Sequence, residues 1–188
     1  MFHPERSLPA VPVLHTPRLL LRGHRIDDLD DCVAMWSDPD VVRYIGGKPF
    51  TREDVWQRLL RYVGHWVLLG FGYWVVTERA TGRFVGEAGA GDAGRQIDPP
   101  WGPVMEIGWA LAPWAHGKGL ATEAVGAVLE WVDAERAKGA AGAAGTRRVV
   151  CMIEPGHAAS RRVAEKHGFR EYAKGQYHGE TLELFERE

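Results

Sequence analysis

The sequence predicts one mixed α/β domain, and three observations support that fold class. The chain has 188 residues, which is enough for one substantial hydrophobic core and short for two. Apolar runs of strand length alternate with segments in which apolar residues recur at helical spacing. No stretch resembles a domain linker, because the Gly/Ala-rich connector Lys138–Thr146 is too short to separate two cores. Residues 1–188 are therefore assigned to a single domain, with a proline-rich tail over residues 1–14.

Composition and charge argue against several classes of protein. Hydrophobic residues at 45% and charged residues at 26% are ordinary for a soluble globular protein, and a net charge of −2 argues against a nucleic-acid partner. The charge-free run Val63–Thr77 is shorter than the roughly 20 residues of a membrane span, and Gly70 and Gly72 interrupt it. We interpret the run as a helix end that leads into a buried strand. The N-terminus lacks the apolar block of a secretory signal, so a cytoplasmic protein is expected, away from membranes.

Two cysteines give no sign of a metal or redox site. Cys32 and Cys151 are far apart and have neither metal-ligand nor CxxC spacing. We expect both to be buried as small apolar side chains, and no metal is predicted.

The first half of the chain is predicted to contain a strand, two helices and a hairpin. A capping box with Asp in the place of Glu, Thr51–Asp54, begins the second helix. The apolar face of that helix is formed by Val55, Leu59, Val63 and Trp66. The remaining elements are the strand Thr16–Arg22, the helix Asp27–Trp36, and the strands Phe71–Thr77 and Arg83–Ala88 joined by E-R-A-T-G.

The second half is predicted to contain a loop, three strands and two helices. The loop Gly89–Pro103 is rich in glycine and proline and contains Trp101. The strands are Val104–Leu111, Arg148–Ile153 and Thr181–Phe185, and the last helix is Ala158–His167, ended by Gly168.

The other helix of this half follows a glycine motif that predicts an anion site. The segment Trp114–Ala124 reads W-A-H-G-K-G-L-A-T-E-A, after which apolar residues recur at helical spacing. A helix N-terminus leaves backbone N–H groups unpaired and carries partial positive charge. Gly117 and Gly119 permit close approach and backbone angles that other residues resist. These features favour a phosphate or pyrophosphate ligand.

Two familiar phosphate-binding patterns do not fit this motif. A Walker A loop needs Ser or Thr after its lysine, but Gly119 follows Lys118. A Rossmann fingerprint counted from Gly117 needs Gly or Ala where the chain has Thr122, and the strand–helix unit also comes after several strands instead of first.

The motif resembles motif A of the GNAT superfamily of acetyl-CoA-dependent N-acetyltransferases, [RQ]-x-x-G-x-[GA]. His116 occupies the Arg/Gln position, Gly119 the central glycine and Ala121 the last small residue. Four segments, in order, are similar to the RimJ/RimL-like branch: T-P-R-L-L-L-R, E-I-G-W-A-L, G-L-A-T-E-A and H-A-A-S-R-R-V-A-E-K-H-G-F.

The resemblance implies a fold, a reaction and a set of partners. The fold would be a twisted, mostly antiparallel mixed sheet of about seven strands, splayed at its middle and flanked by about four helices. The reaction would transfer acetyl from acetyl-CoA to a primary amine of a small molecule or protein N-terminus, by direct attack in a ternary complex and without a metal. A homodimer is one option for the assembly, and Trp101 is expected to line the acceptor cleft or a dimer contact. The rival interpretation is a module that binds CoA but acetylates nothing.

The resemblance also implies the residues that hold the cofactor. Position 157 is usually Asn in the family, where its amide contacts the pantetheine arm, and here it is His157. The remaining cofactor residues are the motif segment His116, Gly117, Lys118, Gly119, Leu120, Ala121 and Thr122, acting through backbone N–H groups, and the strand residues Trp109, Ala110 and Leu111, paired with pantetheine.

Two residues are predicted to act in catalysis. Ser160 lies where the branch has a serine suggested to assist the departing thiolate, and its alternative role is to satisfy backbone N–H groups in the first helical turn. Glu106 is the charged residue of its strand and the first candidate for the base, with Glu87 second. The alternative role of Glu106 is a structural ion pair, for which Arg83 is the predicted partner.

Overall fold

The computed structural model describes residues 10–138 and 148–188, which form one eight-stranded sheet with helices around it. The strands are β1 Leu14–His15, β2 Leu19–Arg22, β3 Tyr73–Glu78, β4 Phe84–Gly91, β5 Val104–Leu111, β6 Arg148–Ile153, β7 Arg170–Tyr177 and β8 Glu180–Arg187. Their spatial order is β1-β2-β3-β4-β5-β6-β8-β7. Within the described sheet only β5 and β6 run parallel. The predicted mixed α/β, mostly antiparallel fold is confirmed.

Five α-helices occur in the described part of the chain. They are α1 Leu29–Trp36, α2 Pro39–Val42, α3 Arg52–Leu69, α4 Leu120–Ala137 and α5 Ala158–Lys166. Short 3-10 turns, Ile26–Asp28 and Pro113–Ala115, precede α1 and the glycine motif. On the measure of length and hydropathy, none of the helices described could cross a membrane.

Helix α3 begins and ends as its sequence predicts. Thr51 Oγ1 accepts from the Asp54 N–H at 3.2 Å, while Asp54 Oδ2 accepts from the Thr51 N–H at 2.9 Å. The helix ends at Gly70, whose φ of 72° is left-handed, and the chain enters the buried strand β3. The interpretation of Val63–Thr77 as a helix end and a strand is therefore confirmed.

The main core is formed by the sheet, helices α4 and α5, and the C-terminal end of α3. Three tryptophans, Trp66, Trp74 and Trp131, meet edge to face with ring centroids 4.6–5.5 Å apart. Both cysteines are buried, as expected, and burial raises the pKa of each thiol.

The expectation for Trp101 is wrong. This side chain lines neither cavity described below and is only 7% exposed. It packs with Ile97, Val104 and Leu184 in a smaller core at the side of the sheet, because a bulky indole among prolines is buried when the loop folds back onto the strands.

Several boundaries also differ from the prediction. Strand β7 was not predicted, the predicted strand Thr16–Arg22 begins only at Leu19 with the short strand β1 before it, and β4 runs on to Gly91. The end of the proline-rich tail is part of the fold, because Leu14 pairs with Leu21 and the Trp74 indole donates to Pro12 O at 2.7 Å. Apart from its first residue, the predicted connector 138–146 lies outside the described residues.

The parallel pair opens towards its carboxyl end. Register is kept from Val104 opposite Arg148 to Glu106 opposite Val150, and the two strands then part. Beyond that point β6 stays paired with β8, and β5 stays paired with β4 up to Leu111. The split leaves one side of β5 open beside the start of α4.

Candidate active site

A cleft of about 360 Å³ lies at the split between β5 and β6. Its walls come from the end of β5, the glycine motif, the first turn of α4 and helix α5. All the predicted cofactor residues except Lys118 line it: Trp109, Ala110, Leu111, His116, Gly117, Gly119, Leu120, Ala121, Thr122 and His157. Ser160 lines it too.

The glycine motif forms a turn with two left-handed residues. Gly117 has φ of 71° and Gly119 has φ of 74°, a region that L side chains resist. The first helical hydrogen bond runs from the Glu123 N–H to Gly119 O at 3.1 Å. The N–H groups of Leu120, Ala121 and Thr122 therefore precede any intrahelical acceptor, as at every helix start. The turn and helix start can hold an anion.

His116 and Lys118 leave this turn in different directions. The Nε2 of His116 is 2.8 Å from Leu111 O, and since a carbonyl only accepts, Nε2 donates and ties the turn to β5. The Lys118 ammonium lies 4.9 Å from the ring centre of Trp114 and is exposed. The side chain of Lys118 therefore contributes little to the cleft wall.

His157 lies at the start of α5 and lines both cavities. Its ring stacks on Tyr44 with centroids 4.4 Å apart. Burial lowers the pKa of His157, and the neighbouring charge of His116 lowers it further. The imidazole is therefore neutral at pH 7 and can offer one donor and one acceptor to a ligand.

A second cavity of about 460 Å³ adjoins the first. Trp109, Ala110, His157 and Ser160 line both. The second cavity is walled by aromatic and charged side chains, including the stacked pair Tyr62 and Tyr73, Arg58, Arg95, Glu87 and Glu106. The volume is within the range of small-molecule sites.

Glu106 is held by Arg95 and not by the predicted Arg83. Arg95 donates from Nε to Oε2 at 2.7 Å and from Nη2 to Oε1 at 3.0 Å, and its Nη1 donates to the Tyr177 hydroxyl at 2.9 Å. The Arg83 guanidinium instead lies 3.8 Å from the ring centre of Trp114. The prediction of Arg83 is wrong because the loop before β5 folds back and brings Arg95 beside Glu106.

Glu87, the second candidate base, is enclosed by donors. It is 2% exposed and accepts from His24 Nε2 and Trp36 Nε1, both at 2.8 Å, with the Cys32 thiol at 3.5 Å. Burial acts to raise the pKa of Glu87, but the hydrogen bonds from His24 and Trp36 and the charges of His24 and Arg58 outweigh it and lower that pKa. Glu87 is therefore a stable carboxylate and a poor acceptor for a further proton.

Ser160 is the third residue of α5 and lies where the two cavities meet. Its hydroxyl makes no hydrogen bond to any residue in the two described ranges. The N-cap is His157, which also makes no side-chain cap. The hydroxyl is therefore free to meet a ligand, and the catalytic role of Ser160 stays a prediction.

Sequence reasoning missed Arg58, Tyr62, Tyr73 and Arg95 as cavity residues. Arg58 offered the clearest signal, because it lies between Val55 and Tyr62 on the buried face of α3, where a charged residue is unexpected. The Arg58 guanidinium carbon lies 4.1 Å from the ring centre of Trp36 and 4.7 Å from that of Phe50, which stacks on Trp36. Arg95 offered no comparable signal.

The residues that form this site lie within a region that matches a known family. Residues 18–170 match the family model described as the acetyltransferase (GNAT) domain. The chain belongs to the GNAT acetyltransferase family. The uncharacterized protein YkkB of Bacillus subtilis (strain 168) is 34% identical over 167 residues, which cover 86% of each protein.

Solved structures of GNAT acetyltransferases share this fold. A structure from Bordetella pertussis, described as a GnaT-family acetyltransferase, has a TM-score of 0.80 and 30% identity, with 95% of this chain and 100% of that chain covered. A phosphinothricin acetyltransferase from Sinorhizobium meliloti, solved in complex with AcCoA, has a TM-score of 0.65 and 20% identity, with 89% and 86% covered. The second likeness concerns the fold alone.

Proposed function

We propose that the protein is an N-acetyltransferase that moves an acetyl group from acetyl-CoA to a primary amine. The observation that carries the proposal is the junction of the two cavities, where Ser160 and His157 face both. A thioester placed in the cleft of the glycine turn would end at this junction. An amine in the second cavity would meet it there. Membership of the RimJ/RimL-like branch and a cytoplasmic location are parts of the same proposal.

The cleft suits CoA along its length. The N–H groups that begin α4 would hold the pyrophosphate, and the open side of β5 would pair with the pantetheine amides. Arg162 and Lys166, one helical turn apart on α5, line the cleft and offer cations for the remaining phosphate. The Sinorhizobium meliloti protein, which has the same fold, was solved in complex with AcCoA, and this supports acetyl-CoA as the ligand.

The chemistry proceeds without an acyl-enzyme. The neutral amine nitrogen attacks the thioester carbonyl, the new C–N bond forms, and the C–S bond breaks as CoA leaves as a thiolate. Ser160 donates a hydrogen bond to that sulfur, and the thiolate is then protonated from solvent. Direct attack is supported by the cysteines, because Cys32 and Cys151 are buried, line neither cavity, and have raised pKa values.

The proton released by the amine passes to Glu106, directly or through water. Glu106 lines the second cavity, and Arg95 holds its carboxylate in a fixed orientation. Glu106 also accepts at both oxygens, but Glu87 is the weaker candidate because it is less exposed, at 2% against 8%, and two separate buried donors, His24 and Trp36, occupy its oxygens. An α-amine with a pKa of about 7.7 needs only about 1 kcal/mol to lose its proton at pH 7, whereas a lysine-like amine near 10.4 needs about 4.6 kcal/mol. Glu106 should therefore matter most for alkylamines.

The experiment is a thiol-release screen with acetyl-CoA and a panel of amines and peptide N-termini. The proposal expects at least one amine to accelerate thiol release well above slow hydrolysis, with the acetylated amine found by mass spectrometry. A chain that binds CoA by calorimetry but acetylates no amine in the panel would favour the silent CoA-binding module. A chain that binds no CoA would remove both interpretations.

A further inference from the structure

A charged network outside the cleft ties the first turn of α4 to strand β2. Glu123 Oε1 accepts from the Thr16 hydroxyl at 2.6 Å and from the Arg18 N–H at 2.8 Å, and its Oε2 accepts from Arg18 Nε at 2.6 Å. We call these three residues the Arg18 brace. The Glu123 side chain is 14% exposed and the Arg18 side chain 51% exposed, so the contact lies at the surface, and none of the three residues lines the cleft.

The same guanidinium also holds the glycine turn. Arg18 Nη1 donates to Lys118 O at 2.9 Å. In a trans peptide the carbonyl and the following N–H point in opposite directions. Because Lys118 O faces Arg18 outside the cleft, the N–H of Gly119 faces away from Arg18. Gly119 itself lines the cleft, so its N–H is directed to the side where the ligand would lie.

This orientation needs support because the turn is intrinsically permissive. Gly117 and Gly119 both occupy left-handed conformations, and glycine loses more freedom on ordering than any other residue. The Lys118 side chain is exposed over Trp114 and is not part of the cleft wall. A hydrogen bond to the carbonyl between the two glycines is therefore well placed to restrict the turn.

The brace also offsets a charge that would oppose an anion. Burial acts to raise the pKa of Glu123, but hydrogen bonds from Thr16 and Arg18 and the charge of Arg18 outweigh it and lower that pKa. The carboxylate is thus ionised at neutral pH one turn from the proposed pyrophosphate position. Arg18 supplies the compensating positive charge.

We infer that Arg18 is a positioning residue, which fixes the Gly119 amide for the cofactor pyrophosphate by holding the Lys118 carbonyl while it pairs with Glu123. The inference rests on the proposed function only for the identity of the ligand. It assigns a role in the cofactor site to a residue that touches no cofactor and lies about a hundred residues before the turn it holds.

The test compares acetyl-CoA with acetyl-pantetheine, an acetyl donor that lacks the pyrophosphate together with the 3′-phosphoadenosine attached to it. In Arg18→Met, KM for acetyl-CoA and Kd for CoA should rise about tenfold, the loss expected for one hydrogen bond to a charged group, with kcat changed less than twofold. Turnover with acetyl-pantetheine should be unchanged, because that donor makes no contact at the turn.

A matched control and a conservative variant separate the alternatives. Arg52 is another exposed arginine that pairs with a carboxylate, Asp30 Oδ1 at 2.7 Å, and it lines neither cavity, so Arg52→Met should leave turnover with both donors unaffected. Arg18→Lys keeps the charge but loses the planar fork that reaches Glu123 from Nε and Lys118 O from Nη1, so its KM should resemble that of Arg18→Met.

Other results would overturn the inference. Equal losses with both donors would make the brace a general structural contact, and no loss with either would leave it without a role at the turn. An unchanged KM for acetyl-CoA in Arg18→Lys would mean that the positive charge alone, and not the hydrogen bond to Lys118 O, supports cofactor binding. Failure of the proposed function looks different, because the unchanged protein would then bind no CoA and release no thiol.

Discussion

A charge placed at Gly117 gives a sharp test of the anion site. Gly117 lines the cleft, has φ of 71°, and has nothing within 4 Å of the position that a Cβ would take. A Cβ there therefore adds backbone strain without a clash. We compare Gly117→Glu with Gly117→Gln, which have the same size and the same strain and differ by one negative charge. Gly119 is less suitable because a Cβ there would lie 3.6 Å from Arg18 Nη2, and a new carboxylate would pair with it.

The two effects have separate magnitudes. The left-handed conformation costs an L residue about 1–2 kcal/mol, which lowers the melting temperature of both variants by about 2–8 °C in a chain of this length. A carboxylate about 8 Å from a phosphate charge, at effective dielectric constants of about 20–80, is repelled by about 0.5–2 kcal/mol. We therefore expect Gly117→Glu to bind CoA about tenfold more weakly than Gly117→Gln, by calorimetry at low salt.

Salt supplies an internal control for this comparison. Raising the ionic strength to about 1 M shortens the screening length to about 3 Å and should bring the two Kd values together. Equal CoA affinity of the two variants at low salt, with both folded, would refute the assignment of the pyrophosphate to this turn. A difference that persists in high salt would point to a cause other than charge.

Three further predictions concern catalysis and stability. Glu106→Gln should lower kcat most for alkylamines and move the alkaline rise of the pH–rate profile upward; an unchanged profile would transfer the base role to Glu87 or to water. Ser160→Ala should lower kcat by about tenfold or more with KM for acetyl-CoA and melting temperature unchanged, whereas a lower melting temperature at full activity would indicate a structural role. Burial acts to raise the pKa of Asp28, but the Arg22 ion pair and an N–H donor lower it overall, so the pair stabilises the fold above about pH 4 and less as pH falls below it. Arg22→Met should therefore cost about 2 kcal/mol in denaturant unfolding at pH 7 and clearly less at pH 3, and an equal cost at both would contradict this.

Much of the fold could be predicted from local patterns, because buried apolar residues recur in the sequence with the period of the helix or strand that they belong to. Strand β5 was predicted with its observed bounds, since its residues are almost all buried and form one apolar run. The capping box at Thr51 was visible because it depends on neighbours three residues apart. Strand β7 was missed because it is an edge strand of the sheet. Most of its side chains are exposed, so its sequence lacks any alternation of apolar and polar residues.

Contacts in the site between residues far apart in the sequence could not be predicted from such patterns. The cofactor cleft could be outlined because its residues lie mostly within one strand–turn–helix segment. The partners of the buried carboxylates could not, because Glu87 meets His24 and Trp36 from 63 and 51 residues away. Nothing in the spacing of the chain distinguishes Arg95 from Arg83 as the partner of Glu106. Only the fold of the intervening loop decides between them.

The short ladder between β5 and β6 has a consequence for cooperativity. These strands pair only over residues 104–106, so the sheet has a weak seam between β1–β5 on one side and β6–β8 on the other. A cofactor lying in the gap would contact β5 on one side and α5 on the other, and would therefore stabilise the contact between the two groups of strands. Binding of the cofactor should then slow amide hydrogen exchange in both groups of strands together, including residues that do not contact it. The bound ligand would in effect replace the hydrogen bonds that β5 and β6 do not make with each other.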